Sequence, residues 1–288
     1  GALEGRHLGE DFCRCLNDGN SQRRACPLAK PHVEVQEGFS VQESQHVFMP
    51  HFHRLVGTDH VIFRLGAEQA GDDRQLLSQI HHDIPIVVFC RGADTLGGFF
   101  SSIATDNWQG ISSALDYLVS LGHNQIAFLG TSRSGDFHER LESYCRYMEQ
   151  NLPGKVHLVQ AENSMEGGYQ GMQKILSLPE PPTAVLAADD VIATGALRAA
   201  AVHECKIPDE ISLMGFDDIK GSAYMVPALT TIRQQVDVIG RAGLERMLAL
   251  VASGGSLPPS HISVEPHLVV RESCAAPRQV RWVRCDKR

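Results

Sequence analysis

Short runs of apolar and β-branched residues alternate with stretches of helical periodicity along most of the chain. The runs that predict strands lie at residues 32–36, 59–63, 84–89, 125–129, 156–160, 183–187 and 211–216. Between them, apolar side chains recur from Ile111 to Val119 in the stripe of an amphipathic helix, and Gly122 follows where a C-terminal cap glycine belongs. Regular alternation of strands and helices predicts parallel sheets flanked by helices, and therefore an α/β protein.

The length and composition fit two lobes built around ordinary hydrophobic cores. The chain has 288 residues, of which 43% are hydrophobic and 21% charged, and its net charge is -8. This acidic balance argues against nucleic-acid binding by the chain itself, because such binding needs basic side chains that neutralise phosphates. No apolar run approaches the ~18 residues of a membrane span. The N-terminus has no secretory signal pattern, so we expect no membrane association.

The cysteines and histidines predict free thiols and surface imidazoles rather than a metal site. Eight cysteines are scattered along the chain without a C-x-x-C pair, which is typical of a reduced, cytoplasmic protein. A zinc site built on Cys13, Cys15 and Cys26 is the alternative, but the spacing matches no common zinc pattern. The pair His51 and His53 would chelate a metal if it lay on a strand. We favour surface histidines there and expect no metal.

Polar residues follow four of the predicted strands. In open parallel sheets, ligands bind beyond the carboxyl ends of the strands, so these positions predict a polar crevice. We expect Asp189 and Asp217 to face this crevice. We expect Asp190 to cap the following helix and Asp218 to cap the short segment after it. The residues at the four strand ends are Cys90-Arg91, Thr131-Ser132-Arg133, Asp189-Asp190 and Asp217-Asp218.

The paired aspartates are compatible with three kinds of chemistry. They can act as a general acid and base, hold Mg²⁺, or accept hydrogen bonds from the hydroxyls of a polyol. The sequence has no phosphate-binding P-loop, no dinucleotide fingerprint, no G-x-S-x-G nucleophile elbow and no H-E-x-x-H zinc motif. We therefore expect a binding protein without a cofactor rather than an enzyme.

Residues 84–275 resemble the effector-binding domain of the LacI/GalR-type bacterial transcriptional regulators. Each matching motif is short, but their order and spacing together are specific to that family. They include Asp106-Asn107 with Gly110, Leu121-Gly122-His123, Ala188-Asp189-Asp190, Gly215-Phe216-Asp217-Asp218, Leu229-Thr230-Thr231-Ile232 and Val269-Val270-Arg271-Glu272-Ser273.

The resemblance implies a two-lobed periplasmic-binding-protein-like fold of type I, with parallel sheets flanked by helices and three crossovers between the lobes. We place the crossovers near residues 104–107, 231–234 and 264–267. The N-terminal lobe would then comprise residues 1–104 and 234–264. The C-terminal lobe would comprise residues 105–233 and 265–276, followed by a basic tail at 277–288.

The resemblance also implies a cytoplasmic homodimeric regulator, normally a repressor, whose small-molecule effector sits between the lobes and changes their closure. Members of the family bind operator DNA through an N-terminal helix-turn-helix headpiece. The sequence lacks that headpiece, so we expect a truncated or degenerate member. A solute-binding receptor of the same fold is the main alternative. An α/β enzyme that uses the aspartate pairs and a protein that has lost its ligand are two further ones.

The ligand-binding residues of the family map onto this sequence by position. Arg140 matches the helix arginine that contacts the effector. An arginine among several carboxylates favours a neutral sugar as the effector, because the arginine donates to ligand oxygens and the acids accept from hydroxyls. A purine nucleoside and a sugar phosphate are the alternatives. A structural alternative for Arg140 is that it only pairs with Asp136 one turn earlier. The positions implied are Arg140, Asp217, Asp189, Asp136, Asn163 (an aromatic ring in some members), Cys90 (an acid in some), Arg91 and Val236 (Phe in some).

Overall fold

A computed structural model describes residues 61–64, 86–89, 100–131 and 135–277. Its strands are β1 Val61–Arg64, β2 Ile86–Phe89, β3 Ser101–Thr105, β4 Ile126–Gly130, β5 His157–Gln160, β6 Ala184–Ala187, β7 Ser212–Asp217, β8 Thr230–Arg233, β9 His261–Val264 and β10 His267–Val269. Its α-helices are α1 Asn107–Ser120, α2 Gly135–Asn151, α3 Met165–Leu176, α4 Asp190–Val202 and α5 Val236–Ala252, and a 3-10 helix spans Lys220–Tyr224.

The strands form two sheets. A four-stranded parallel sheet has the order β1-β2-β3-β9, and α5 packs on it through Ile239, Met247 and Leu250. A six-stranded sheet has the order β10-β8-β7-β6-β4-β5 and is parallel except where β10 runs antiparallel to β8. The parallel strands of the second sheet place the ends of β4, β6 and β7 at one edge, where the candidate site lies.

The larger core surrounds the six-stranded sheet. Strands β4 and β6 are buried along their whole length, as fits parallel strands covered on both faces. Helix α1 buries the stripe that its periodicity predicts, including Ile111, Leu115 and Leu118. The α1 cap is also as predicted, since Gly122 has a φ of 100° just beyond the helix end, a conformation that glycine adopts without strain.

Helices α3 and α4 approach each other closely because glycine lines their contact. A Cβ atom at Gly168 would overlap the carbonyl oxygen of Ile192, and one at Gly195 would overlap the carbonyl oxygen of Met165. The close contact is between backbones, so no side-chain rotation can relieve it. This packing fixes the first turn of α4, which begins at Asp190.

The chain passes between the two sheets three times within the described residues, after β3, after β8 and after β9. The connecting segments are hydrogen-bonded to one another. The Thr105 hydroxyl donates to the Gln234 side chain at 2.5 Å, and the Gln235 side chain donates to the Glu265 carbonyl at 2.6 Å. The Asp106 amide donates to the Val264 carbonyl at 2.9 Å. Any rotation of one sheet against the other therefore involves these few residues together.

The predicted α/β class with mainly parallel sheets is confirmed. Every predicted apolar run from residue 59 onwards overlaps a strand. The run at 32–36, the cysteines considered for zinc and the pair His51 and His53 lie outside the described residues. Within them, Cys145, Cys205 and Cys274 are free thiols. No helix of the described part is both long and apolar enough to cross a membrane.

Candidate functional site

Arg140 lies at the centre of a polar cluster beyond the carboxyl ends of the strands of the six-stranded sheet. Helix α2 carries it into the interior, where only 2% of its surface is exposed. Its Nε donates to the Asn107 side chain at 3.0 Å, and its Nη1 donates to the Ala188 carbonyl at 2.7 Å. Its Nη2 pairs with Asp217 at 3.0 Å. The guanidinium also lies over the Phe216 ring, 3.8 Å from the centroid, a cation–π contact.

The ion pair of Arg140 with Asp217 overturns the alternative in which Arg140 only pairs with Asp136. Asp136 instead accepts from the side-chain Nδ2 of Asn107 at 3.2 Å. The same nitrogen also donates to Glu139 at 2.8 Å. Burial raises the pKa of Asp136 to about 6, although the Arg140 charge acts in the opposite direction. Asp136 thus belongs to the cluster through Asn107.

Asp217 links Arg140 of α2 to Gln234, the residue after β8. Its Oδ1 accepts both from Arg140 and from the Gln234 side chain, the latter at 2.6 Å. Because 28% of its side-chain surface remains exposed, the carboxylate keeps acceptor capacity for a ligand. Its backbone has a φ of 107°, a left-handed conformation that costs energy in a residue other than glycine. Such strain is found where the surrounding contacts enforce it.

The roles predicted for Asp189 and Asp190 are partly wrong. Asp189, not Asp190, caps α4, because its side chain accepts from the Ile192 amide at 2.7 Å. Asp190 is fully buried one residue further on. It accepts from the hydroxyls of Ser222 at 2.5 Å and Thr231 at 2.6 Å, and from the Ile219 amide at 3.0 Å. The helix begins one residue earlier than the prediction assumed, so the cap falls on Asp189, and Asp190 becomes the buried first residue of α4.

The cap predicted for Asp218 is also wrong. The 3-10 helix begins after Ile219 without a side-chain cap. The Asp218 carboxylate instead accepts from Arg233 and from Arg271, each at 2.6 Å. Asp218 therefore ties the end of β7 to the end of β8 and to the segment after β10.

The other predicted positions are distributed as follows. Asn163 lies two residues before α3, half-buried, and its Oδ1 has no hydrogen-bond partner in the structure. Val236 is 54% exposed at the start of α5. Cys90 and Arg91 lie outside the described residues. Among the residues that are described, no group of three or more His, Cys, Asp or Glu side chains is arranged to hold a metal ion.

Two residues that bond directly to Arg140 or Asp217 through their side chains were not predicted as site residues. Asn107 orients Arg140, and Gln234 contacts both Asp217 and Thr105. Asn107 belongs to a motif that carries the family resemblance, which was the available signal. Gln234 lies within a predicted crossover but follows a strand whose end shows no distinctive pattern in the sequence.

The buried aspartates at the start of α4 make stability depend on pH. Burial, reinforced by the Asp217 charge, raises the pKa of Asp189 to about 7. Burial also raises the pKa of Asp190 to about 7, although the hydrogen bonds from Ser222 and Thr231 act to lower it. In the unfolded chain an aspartate titrates near pH 3.9. Between about pH 4 and pH 7 the folded chain therefore holds protons that the unfolded chain has lost, and this contribution to stability falls as the pH rises.

We expect the difference in unfolding free energy between the wild type and Asp190→Asn to shrink, or to reverse in favour of the variant, as the pH rises from 5 to 8. The reason is that only the wild type loses the contribution of a protonated Asp190 over this range. Urea unfolding at several pH values measures it. Asp237→Asn, at an exposed position in the first turn of α5, is the control and should show no such change. A wild-type advantage that grows with pH would contradict the assignment.

The sequence matches the family described as periplasmic binding protein-like domain over residues 115–274, more than half of the chain. Among curated proteins it is 34% identical over 173 residues to the probable HTH-type transcriptional repressor ExuR of Bacillus subtilis, covering 59% of this chain and 51% of that protein. It is 34% identical over 203 residues to the HTH-type transcriptional repressor PurR of Shigella dysenteriae, covering 69% of this chain and 59% of the relative. The chain thus spans between half and three-fifths of these relatives.

Solved structures of the same family share the fold. A LacI family transcriptional regulator from Enterococcus faecalis with bound ribose has a TM-score of 0.68 at 25% identity, over 77% of this chain and 79% of that one. The lac repressor dimer bound to operator and the anti-inducer ONPF has a TM-score of 0.65 at 26% identity, over 75% and 73% of the two chains. The predicted periplasmic-binding-protein-like fold is confirmed. The chain belongs to the periplasmic binding protein-like family, is homologous to the LacI/GalR-type repressors and covers their effector-binding domain.

Proposed function

We propose that the chain serves as the effector-binding and dimerisation domain of a LacI-type transcriptional repressor that senses a small hydroxyl-rich molecule. The observation that carries this proposal is the buried Arg140–Asp217 pair at the ends of the strands, joined by Gln234 to the segments that connect the two sheets. A ligand at this pair would contact both the sheet edge and the connections. Its binding energy can therefore bias the relative position of the two lobes.

The donor and acceptor set of the site suits a sugar. Three of the five N–H groups of Arg140 are engaged by Asn107, Ala188 and Asp217. We propose that the other two donate to ligand oxygens. The partly exposed carboxylate of Asp217 accepts from hydroxyls, which gives the mixed pattern that a polyol needs. The ribose bound to the related Enterococcus faecalis regulator supports the same ligand class.

Other residues of the proposed site are those that the family resemblance implied. Asp189 lies at the α4 cap and Asp136 next to Asn107, and both would accept from ligand hydroxyls when deprotonated. Asn163 offers an unpaired carbonyl oxygen. By their resemblance to the family, we also propose Cys90, Arg91 and Val236 as ligand-binding residues of this site.

The domain boundaries remain those of the sequence prediction. We place residues 1–104 and 234–264 in the N-terminal lobe, residues 105–233 and 265–276 in the C-terminal lobe, and 277–288 in a tail. In support, the described chain leaves the four-stranded sheet after β3, returns to it through α5 and β9, and leaves it again before β10. Effector binding would close these lobes on one another.

The partners of the whole regulator follow from its relatives. ExuR and PurR are HTH-type transcriptional repressors and not enzymes, and the lac repressor structure is a dimer on its operator. By homology, we propose a cytoplasmic homodimer in which a helix-turn-helix headpiece, and not the effector-binding domain of this chain, contacts operator DNA. The mechanism requires no cofactor.

A thermal-shift screen tests the proposal. We expect a neutral monosaccharide, with D-ribose as the first probe, to stabilise the chain by about 2.7 kcal/mol at 100 times its dissociation constant. For a protein of this size that raises the melting temperature by roughly 5–10 °C. Purine nucleosides and sugar phosphates complete the panel. Stabilisation by these compounds alone would overturn the sugar assignment, and a flat response to all three classes from a cooperatively folding sample would contradict the sensing role.

A further inference from the structure

Two consecutive aspartates at the end of β7 hold different parts of the molecule. Asp217 and Asp218 both have left-handed backbone conformations, with φ of 107° and 56°. Asp217 pairs with Arg140, whereas Asp218 accepts from Arg233 and Arg271. Each of these backbone conformations is unfavourable for a residue with a Cβ atom, so contacts with the surrounding structure are needed to maintain two of them at consecutive positions. The ion pairs of Asp218 are among these contacts.

The Asp218 carboxylate is enclosed, with 6% of its side-chain surface exposed. Arg271 is anchored independently, because its Nη1 donates to the Leu229 carbonyl and its amide donates to the Thr230 hydroxyl. Arg233 is different, because Asp218 holds its Nε at 2.6 Å while 54% of its side chain lies in solvent. Among the described residues, it is the ion pair with Asp218 that fixes the Arg233 side chain.

Arg233 directly precedes Gln234, which contacts the effector site. Arg233 is paired in register with Asp217 across β7 and β8. The next residue, Gln234, donates to Asp217 at 2.6 Å and accepts from Thr105 of β3. The ends of β7 and β8 are therefore clamped twice, once from Arg233 to Asp218 and once from Gln234 to Asp217.

We propose that Asp218 is a positioning residue of the effector site: through Arg233 it holds the end of β8 so that the Gln234 amide stays on the Asp217 carboxylate. Asp218 does not contact the effector in this scheme. It fixes the direction of the Asp217 carboxylate before the effector arrives, which lowers the cost of ordering that group on binding. This inference uses the proposed function only in taking Asp217 as an effector ligand.

The side-chain amide of Gln234 reports the positioning without any ligand. In ¹H–¹⁵N spectra of the wild-type chain we expect two well-separated, slowly exchanging Gln234 amide protons. In Asp218→Asn and Arg233→Gln we expect them to converge and to exchange with water about tenfold faster or more, as fits a local opening. Arg233→Lys should restore most of the wild-type signature. Arg233 is largely exposed, so its variants keep the test valid even if Asp218→Asn folds poorly.

Arg271→Gln is the matched control, because it removes the other partner of Asp218 without touching the β8 end. It should lower the melting temperature but leave the Gln234 amide signals in place. Unchanged Gln234 signals in both Asp218→Asn and Arg233→Gln would overturn the proposal, and so would an equal loss in Arg271→Gln.

Titration with D-ribose gives a second measurement. We expect Asp218→Asn and Arg233→Gln to bind it about tenfold more weakly than the wild type, a typical effect for residues that act on a site through its neighbours. Equal affinities would overturn the positioning role. If D-ribose does not bind the wild type, the ligand assignment under the proposed function is at fault, and the Gln234 spectra still decide the role of Asp218.

Discussion

Arg140→Ala is expected to weaken effector binding by about 100-fold or more. The substitution removes three hydrogen bonds and leaves the Asp217 carboxylate without its cation. The Asn107 side chain and the Ala188 carbonyl lose their donors at the same time. Removing one partner of a buried charge pair costs about 3–5 kcal/mol of folding stability. The loss of two charge-assisted hydrogen bonds to the ligand costs about 3–6 kcal/mol of binding free energy, which is roughly 150-fold to 25,000-fold in affinity. Titration calorimetry with the sugar identified in the screen measures the loss.

The neighbouring Arg146 provides a control on the same helix. Its guanidinium lies over the Trp108 ring, 4.2 Å from the centroid, on the exposed side of α2. Arg146→Ala should cost about 0.5–1 kcal/mol in stability and nothing in affinity. Arg140→Lys keeps the charge but not the planar fork, so we expect it to remain impaired. Wild-type affinity in Arg140→Ala would remove Arg140 from the site.

Gly195→Ala is expected to produce the largest loss of stability. The added methyl group would meet the backbone of α3 at the Met165 carbonyl and the Tyr169 amide, so the two helices must move apart. Overpacking of this kind costs about 3 kcal/mol or more. The melting temperature should fall by roughly 6–12 °C. Differential scanning calorimetry measures both quantities.

A matched change on α5 separates the close contact from the general effect of glycine in a helix. Nothing lies within 4 Å of the position that a Cβ atom would take at Gly240. Gly240→Ala should therefore stabilise the chain, by about 0.5–1 kcal/mol, through helix propensity alone. If Gly195→Ala were as stable as the wild type, α3 and α4 would not be packed as the structure has them.

The strands that could be predicted are those whose residues are mainly apolar or β-branched. Runs such as residues 183–187 are covered on both faces and are therefore apolar throughout. Strand β3 did not stand out, because Ser101 and Ser102 are buried polar residues. They are satisfied by Arg246 and His261 from distant parts of the chain. Partners more than a hundred residues away leave no local pattern, so such a strand is invisible to periodicity.

In the candidate site too, some features could be predicted from the local sequence and others depend on distant contacts. The sequence alone placed Asp189 and Asp217 at the carboxyl ends of β6 and β7, where the structure has them. The position of the cap, on Asp189 rather than Asp190, depends on where α4 begins to within one residue, which propensity does not resolve. Gln234 reaches Asp217 only because β7 and β8 pair in one register. That register is a property of the folded sheet.

We propose above all that Arg140 and Asp217 form the binding site of a sugar between the two sheets. The most direct measurement is a crystal structure of the chain with the monosaccharide that raises the melting temperature most. We expect sugar hydroxyls to lie within hydrogen-bond distance of both the Arg140 guanidinium and the Asp217 carboxylate. A sugar bound elsewhere, with the Arg140–Asp217 pair untouched, would contradict it.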